Sequence, residues 1–169
     1  MTTVFTTMAS PLGTLLLSGT LDPDGGFALA AVTAPGQKGA VDTPQDGWRP
    51  DPDALAPAVE QLSAYFAGER TSFDLPLAPV GTPFRRRIWA ALDDIPYGST
   101  LSYGQLADAA GESKLAVRAV GGAVGANPLL IVRPCHRVKG ANGSLTGFAA
   151  GIDAKRWLLA HESGDGRLF

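Results

Sequence analysis

The chain of 169 residues holds one cysteine, Cys135, and a histidine follows it directly in the run Ile131-Val132-Arg133-Pro134-Cys135-His136-Arg137-Val138. A thiol reacts as the thiolate, so its ordinary pKa of about 8.5 has to be lowered or its proton removed by a neighbour. His136 and Arg137 are both adjacent. A histidine that takes a proton becomes cationic and needs an anion to hold it. Glu162 supplies that carboxylate if the last helix folds back beside the Cys135 segment. His161 is the rival partner, although its periodicity puts it on a buried face. The plain alternative is that Cys135 is a small buried apolar residue.

The elements that must position this pair read in order. Residues 1–35 are β, with runs at 14–18 and 27–32 separated by the turn signal Asp22-Pro23-Asp24-Gly25-Gly26. Residues 34–53 are loop. From Ala54, the residues Leu55, Val59, Leu62, Tyr65 and Phe66 recur at helical spacing up to Gly68. Residues 72–77 read as a short final strand, and Pro79 to Pro83 as a linker. Beyond it Phe84, Ile88, Ala91, Leu92 and Ile95 form one apolar stripe. Ser102 and Gln105 have capping-box spacing before a helix carrying Leu106 and Ala107. Ser113 is placed to cap the next helix, where Ala116, Val120, Ala123 and Val124 share a face. Leu129 to Arg133 reads as a β segment that Pro134 breaks, which delivers Cys135 at a strand end. Asp153 is placed to cap a last helix with Ala154, Trp157, Leu158 and His161.

Two short helices joined by a tight turn, after an earlier helix, suggest a helix-turn-helix. Arg118 points away from the buried stripe of the second helix. It is either a solvated arginine or a DNA contact. The rest of that face is small (Gly121, Gly122, Gly125), with few long polar side chains to read major-groove base edges, which argues against a sequence-specific regulator.

The net charge of −2 is unevenly placed. Residues 1–80 carry three Lys/Arg against nine Asp/Glu (−6), and residues 81–169 carry eleven against seven (+4). A basic half on an acidic half suits a polyanion on one side only. One cysteine excludes an intramolecular disulfide, and with two histidines it makes no Cys-rich zinc site. There is no apolar run of membrane-spanning length and no signal-peptide pattern. The expected location is a reducing cytoplasm. The chain divides into a scaffold, 1–80, and a site-bearing domain, 81–169.

Residues 134–138, Pro-Cys-His-Arg-Val, resemble the active-site signature of the O6-alkylguanine-DNA alkyltransferases (methylated-DNA–protein-cysteine methyltransferases). Four companions match in order: 102–107 (SYGQLA), 118–122 (RAVGG), Asn127-Pro128 and 157–162 (WLLAHE). The resemblance covers residues 80–163. It implies an α/β protein, a small N-terminal sheet-plus-helix domain followed by a helical, winged-helix-like DNA-binding domain with a helix-turn-helix. It implies irreversible, single-turnover transfer of a methyl or small alkyl group to Cys135 from O6 of guanine, or O4 of thymine, in duplex DNA. No cofactor or metal is implied.

By the same resemblance, His136 is the base through a bound water and Glu162 completes the relay. Asn127 braces the turn before the active-site segment. Tyr103 presses on the phosphate as the nucleotide is flipped, since a nucleophile cannot reach a base substituent inside a duplex. Arg118 fills the vacated space, from the minor groove. Arg137 is counted with the residues that contact the DNA substrate. The carbonyls of Cys135 and Val138 accept from the guanine amino group. Phe148 walls the pocket, and N–H groups around Ala149 hold the leaving oxygen. A monomer is expected, with cooperative binding along DNA left open. Phe148 stands where the family usually has tyrosine, Ala150 where it has glycine and Arg133 where it has an apolar residue; Arg133 either adds positive potential near Cys135 or faces solvent. The stretch from Gly111 to Arg118 is one residue longer and lacks the usual proline. The alternatives are a non-catalytic helix-turn-helix regulator or damage-binding protein, and a thiol hydrolase.

Overall fold

A computed structural model describes residues 1–78, 80–145 and 147–164, so Pro79 of the expected linker and Thr146 lie outside the described residues. The chain forms two compact units. The first is Met1–Val80 with Pro128–Val132, and the second is Gly81–Asn127 with the described residues from Arg133 onward. A division at 80/81 thus leaves one segment of the second stretch, 128–132, packed with the first unit.

In the first unit, β1 (Thr2–Met8), β2 (Leu15–Leu21), β3 (Phe27–Thr33) and β4 (Arg49–Pro50) form one sheet of order β3-β2-β1-β4. The β1–β2 pair is antiparallel from Thr2↔Leu21 to Met8↔Leu15, and β4 lies parallel to β1. The β2–β3 register shifts at Ser18/Gly19. A Cβ on Gly19 would lie 2.5 Å from the Ala28 carbonyl oxygen, so only glycine fits that bulge. Helix α1 (Pro52–Phe66) starts where Asp51 accepts from the Ala54 N–H at 3.1 Å, and buries Leu55, Ala58, Leu62 and Tyr65.

Two expected strands shrink to single bridges on β3. Leu77 bridges Leu29, and Leu129 bridges Val32. The second cannot extend, because Ile131 has φ 73° and the Val132 N–H closes back on the Leu130 carbonyl at 2.8 Å. That is a γ-turn in the left-handed region, which a β-branched residue rarely enters.

In the second unit, α2 (Pro83–Asp93) is capped by Thr82 and buries Ile88, Trp89, Ala91 and Leu92. A two-residue ladder pairs β5 (Leu101–Ser102) with β6 (Val138–Lys139) in parallel. Helix α3 (Tyr103–Ala109) opens with the capping box: Gln105 N–H donates to Ser102 Oγ at 3.1 Å and Ser102 N–H to Gln105 Oε1 at 2.8 Å. Helix α4 (Val117–Gly125) buries Val120, Ala123 and Val124. Ser113 does not cap it. A 3₁₀ turn, Lys114–Ala116, intervenes, and the Ser113 carbonyl rather than its hydroxyl accepts from Ala116 N–H. Helix α5 (Ile152–Ser163) has its N-cap at Gly151, φ 97°, not at Asp153, because the ladder begins with Lys155 N–H on the Gly151 carbonyl. Asp153 pairs with Arg156 instead. Among the described residues no helix is long and apolar enough to cross a membrane.

Candidate active site

The cysteine segment is shaped by backbone turns. Pro134 has φ −80° and ψ 60°, and the Cys135 N–H bonds the Arg133 carbonyl across it at 2.7 Å. This inverse γ-turn leads into a 3₁₀ turn, Cys135–Arg137, so Cys135 sits on a tight turn and not at a strand end. The turn sends three consecutive side chains into the interior, with Cys135 6 %, His136 0 % and Arg137 6 % exposed.

Glu162 reaches back from the last turn of α5 and binds two of them. His136 Nε2 lies 2.6 Å from Glu162 Oε2. Arg137 donates Nε to Oε1 at 2.7 Å and Nη2 to Oε2 at 3.0 Å. A carboxylate gripped by both arms of a guanidinium is an acceptor. The hydrogen on His136 is therefore on Nε2, and Nδ1 carries the free lone pair. Nδ1 is buried and has no hydrogen-bond partner among the described residues. Burial lowers the His136 pKa below its ordinary 6.5, opposed by the Glu162 contact. The ring rests neutral, with its basic nitrogen unused.

Arg137 is therefore not a DNA-facing residue. Its remaining arm, Nη1, donates to the Ile95 carbonyl at 2.6 Å, and the guanidinium lies 5.6 Å from the Tyr97 ring centroid. Nor does it lower the Cys135 pKa. Burial pushes that thiol's pKa up, and the opposing influences are the Asn127 side-chain hydrogen bond, the charge of Lys155, a backbone hydrogen bond and the charge of Arg133. At rest Cys135 is a thiol. His161 is half-exposed and stacks on Trp157 at 4.8 Å, so the rival for His136 is on the outer side of α5.

Asn127 is buried, and its Nδ2 donates to the Arg133 carbonyl at 3.1 Å, across the same turn. Arg133 does not face open solvent. Its guanidinium lies 4.9 Å from the Trp89 ring and its Nε 3.3 Å from Asp93 Oδ1, while Trp89 Nε1 donates to the Ala123 carbonyl of α4 at 2.9 Å. Val138 is fully buried, and Phe148 and Ala149 are half-buried. Tyr103 is half-buried, with its ring 3.9 Å from where a Cβ on Gly121 would stand. Arg118 is exposed on α4.

Lys155 was not singled out from sequence. It is 0 % exposed, and its Nζ lies 5.8 Å from the Phe148 ring centroid. Burial lowers its pKa, and the Cys135 charge opposes that. The signal was its spacing: Lys155 lies seven residues before Glu162, so the two share one face of α5.

The chain matches two family profiles, described as "6-O-methylguanine DNA methyltransferase, ribonuclease-like domain" over residues 3–79 and "6-O-methylguanine DNA methyltransferase, DNA binding domain" over residues 83–164. It is 49 % identical over 158 residues to the methylated-DNA–protein-cysteine methyltransferase of Mycolicibacterium paratuberculosis, covering 94 % of this chain and 91 % of that one. It is 48 % identical over 153 residues to the protein of the same name from Methanosarcina acetivorans, covering 90 % and 94 %. The crystal structure of Mycobacterium tuberculosis OGT in complex with DNA superposes with a TM-score of 0.85 at 46 % identity, covering 95 % of this chain and 93 % of the other. The chain belongs to the methylated-DNA–protein-cysteine methyltransferase family.

Proposed function

We infer that this chain repairs DNA by direct reversal, taking a methyl or small alkyl group from O6 of guanine onto Sγ of Cys135. The observation that carries the mechanism is the partnerless Nδ1 of a buried, neutral His136, one residue from the only thiol. A water between Nδ1 and Sγ relays the thiol proton to the ring, and Glu162 holds the imidazolium that forms. Sγ attacks the alkyl carbon, the carbon–sulfur bond forms and the carbon–O6 bond breaks. The electron pair goes to O6, the guanine anion takes up the proton that His136 accepted, relayed back through water, and the base remains in the strand as ordinary guanine. Lys155 favours the thiolate as it forms. The thioether is stable and the sequence holds no second thiol, so each molecule acts once.

Residues 81–169 carry the chemistry and the DNA contacts in this reading, and 1–80 the scaffold. Helices α3 and α4 act as the helix-turn-helix, approaching from the minor groove as a monomer. Tyr103 bears on the phosphate and Arg118 fills the gap left by the flipped nucleotide. The Cys135 and Val138 carbonyls accept from the guanine amino group, Phe148 walls the pocket, and Ala149 N–H stabilises the leaving oxygen. The same acceptor serves O4 of alkylated thymine. A thiol that must stay reduced favours the cytoplasm.

The test is the intact mass after incubation with duplex DNA carrying O6-methylguanine. A gain of one methyl, absent in Cys135→Ala, is expected. A folded wild-type protein that gains no mass but binds the duplex tightly would favour the regulator. Repeated ester turnover would favour the hydrolase.

A further inference from the structure

We propose that Leu115 is an apolar wedge that contacts duplex DNA beside Arg118 and helps set how tightly the duplex is engaged. The proposal rests on the reading of α4 as the DNA-facing helix. Leu115 is 97 % exposed, more than any other large hydrophobic residue among those described. A leucine held wholly in water makes no contribution to the core. It stands in the 3₁₀ turn Lys114–Ala116 that leads into α4. Residues three apart in such a turn lie one above the other, which puts Leu115 on the same side as Arg118.

The surroundings fit a polyanion. Lys114 and Arg118 are both exposed and flank Leu115. The nearest acid on one side, Glu112, is held by Arg87, with Nη2 3.0 Å from Oε1. Further along α4 the exposed positions are Ala119, Gly122 and Gly125, and a Cβ on either glycine would meet nothing within 4 Å. Leu115 and Arg118 thus project at one end of an otherwise small face. Such a face can lie close to a groove while the projecting pair reaches in. Apolar side chains that press into the minor groove and prise at base steps use this combination of wedge and flanking cations. A single leucine is too little area for a protein partner, so the occupant is duplex DNA.

The test compares Leu115→Ala, Leu115→Met and Lys114→Ala with the wild-type chain. Duplex affinity is measured across 50–200 mM salt. Alkyl loading is followed by mass with an O6-methylguanine duplex and with free O6-benzylguanine. Leu115→Ala is expected to weaken duplex binding by about tenfold or more with an unchanged salt slope, because no counterion-releasing charge is lost. Leu115→Met keeps the wedge and most of the affinity. Lys114→Ala lowers the salt slope by about one. Reaction with the free base stays at the wild-type rate in all three, since nothing needs flipping. Unchanged duplex binding in Leu115→Ala, or an equal loss on duplex and free base, would overturn the proposal. If the wild-type chain takes no alkyl group from either substrate, the repair reading fails, while the affinity series still decides whether Leu115 touches DNA.

Discussion

His136 Nε2 stands 2.6 Å from Glu162 Oε2 in the interior, and the other nitrogen of the ring has no hydrogen-bond partner among the described residues. The two facts are one arrangement. The carboxylate fixes the proton on Nε2, and that choice leaves the lone pair on Nδ1. In the proposed relay the thiol proton passes to Nδ1 during the reaction, so burial that raises the resting Cys135 pKa is compatible with it.

Glu162→Gln tests this directly. The amide is nearly isosteric, but it can present N–H to the ring and so no longer fixes the tautomer. Loading of free O6-benzylguanine onto Cys135 is expected to slow by about a hundredfold, read as a first-order mass gain. A rate within twofold of wild type would remove Glu162 from the relay.

Arg137→Met separates structure from DNA contact. The guanidinium is buried on Glu162, so removing it strands a buried carboxylate and should cost about 3 kcal/mol in a urea titration. Its loss should leave the salt slope of duplex binding unchanged, because a side chain turned inward releases no counterions. A slope reduced by about one would restore Arg137 to the DNA face.

What could be read in advance was what is local. The Ser102–Gln105 capping box follows from a four-residue spacing, and it is present atom for atom. Glu162 was reachable because a protonated histidine demands an anion. Arg137 was misread because an arginine beside a thiol looks the same in sequence whether it faces a substrate or a carboxylate twenty-five residues away. The Cys135 turn was hidden for another reason. Leu129 to Arg133 has good strand composition, and only tertiary context puts Ile131 at φ 73°. Lys155 escaped because a lysine on an amphipathic helix is assigned to water by default.

The pH dependence of stability follows from two opposite shifts. The folded pKa of His136 lies below its ordinary 6.5, so the unfolded chain binds the proton more readily, and stability falls as pH drops below about 6.5. The folded pKa of Cys135 lies above 9.0, so its contribution is complete below that value and is lost as pH rises through it. Lys155, whose folded pKa lies below its ordinary 10.5, works against the alkaline loss, so that limb is read by comparing the methylated and unmethylated protein. In the S-methylated protein the cysteine part of the alkaline loss should vanish, since that group no longer titrates. A methylated chain with an unaltered alkaline limb would contradict the assignment.

Arg118→Ala should reduce repair in duplex DNA by tenfold or more, on the order of the loss of one gap-filling contact, and leave the reaction with free O6-benzylguanine untouched. Rates of mass gain on the two substrates give the comparison. Equal losses on both would mean that Arg118 supports the fold and not nucleotide flipping.

Asn127→Asp isolates the brace behind the nucleophile. The wild-type amide donates Nδ2 to the Arg133 carbonyl, the same oxygen that accepts from Cys135 N–H across the Pro134 turn, and it also hydrogen-bonds the thiol. An aspartate of equal size donates to neither. It leaves two electron-rich atoms facing each other at the Arg133 carbonyl and sets a negative charge beside the sulfur that must become a thiolate. Stability should drop by about 1–3 kcal/mol for the lost buried bond. The pH at which loading of free O6-benzylguanine reaches half its maximum should move upward, because a nearby anion raises a thiol pKa further. A purely structural role would lower the melting temperature and leave that pH midpoint where it was. The upward movement is the part that ties Asn127 to the chemistry, and Asn127→Ala, which loses the donor without adding charge, should show the stability loss with a smaller displacement.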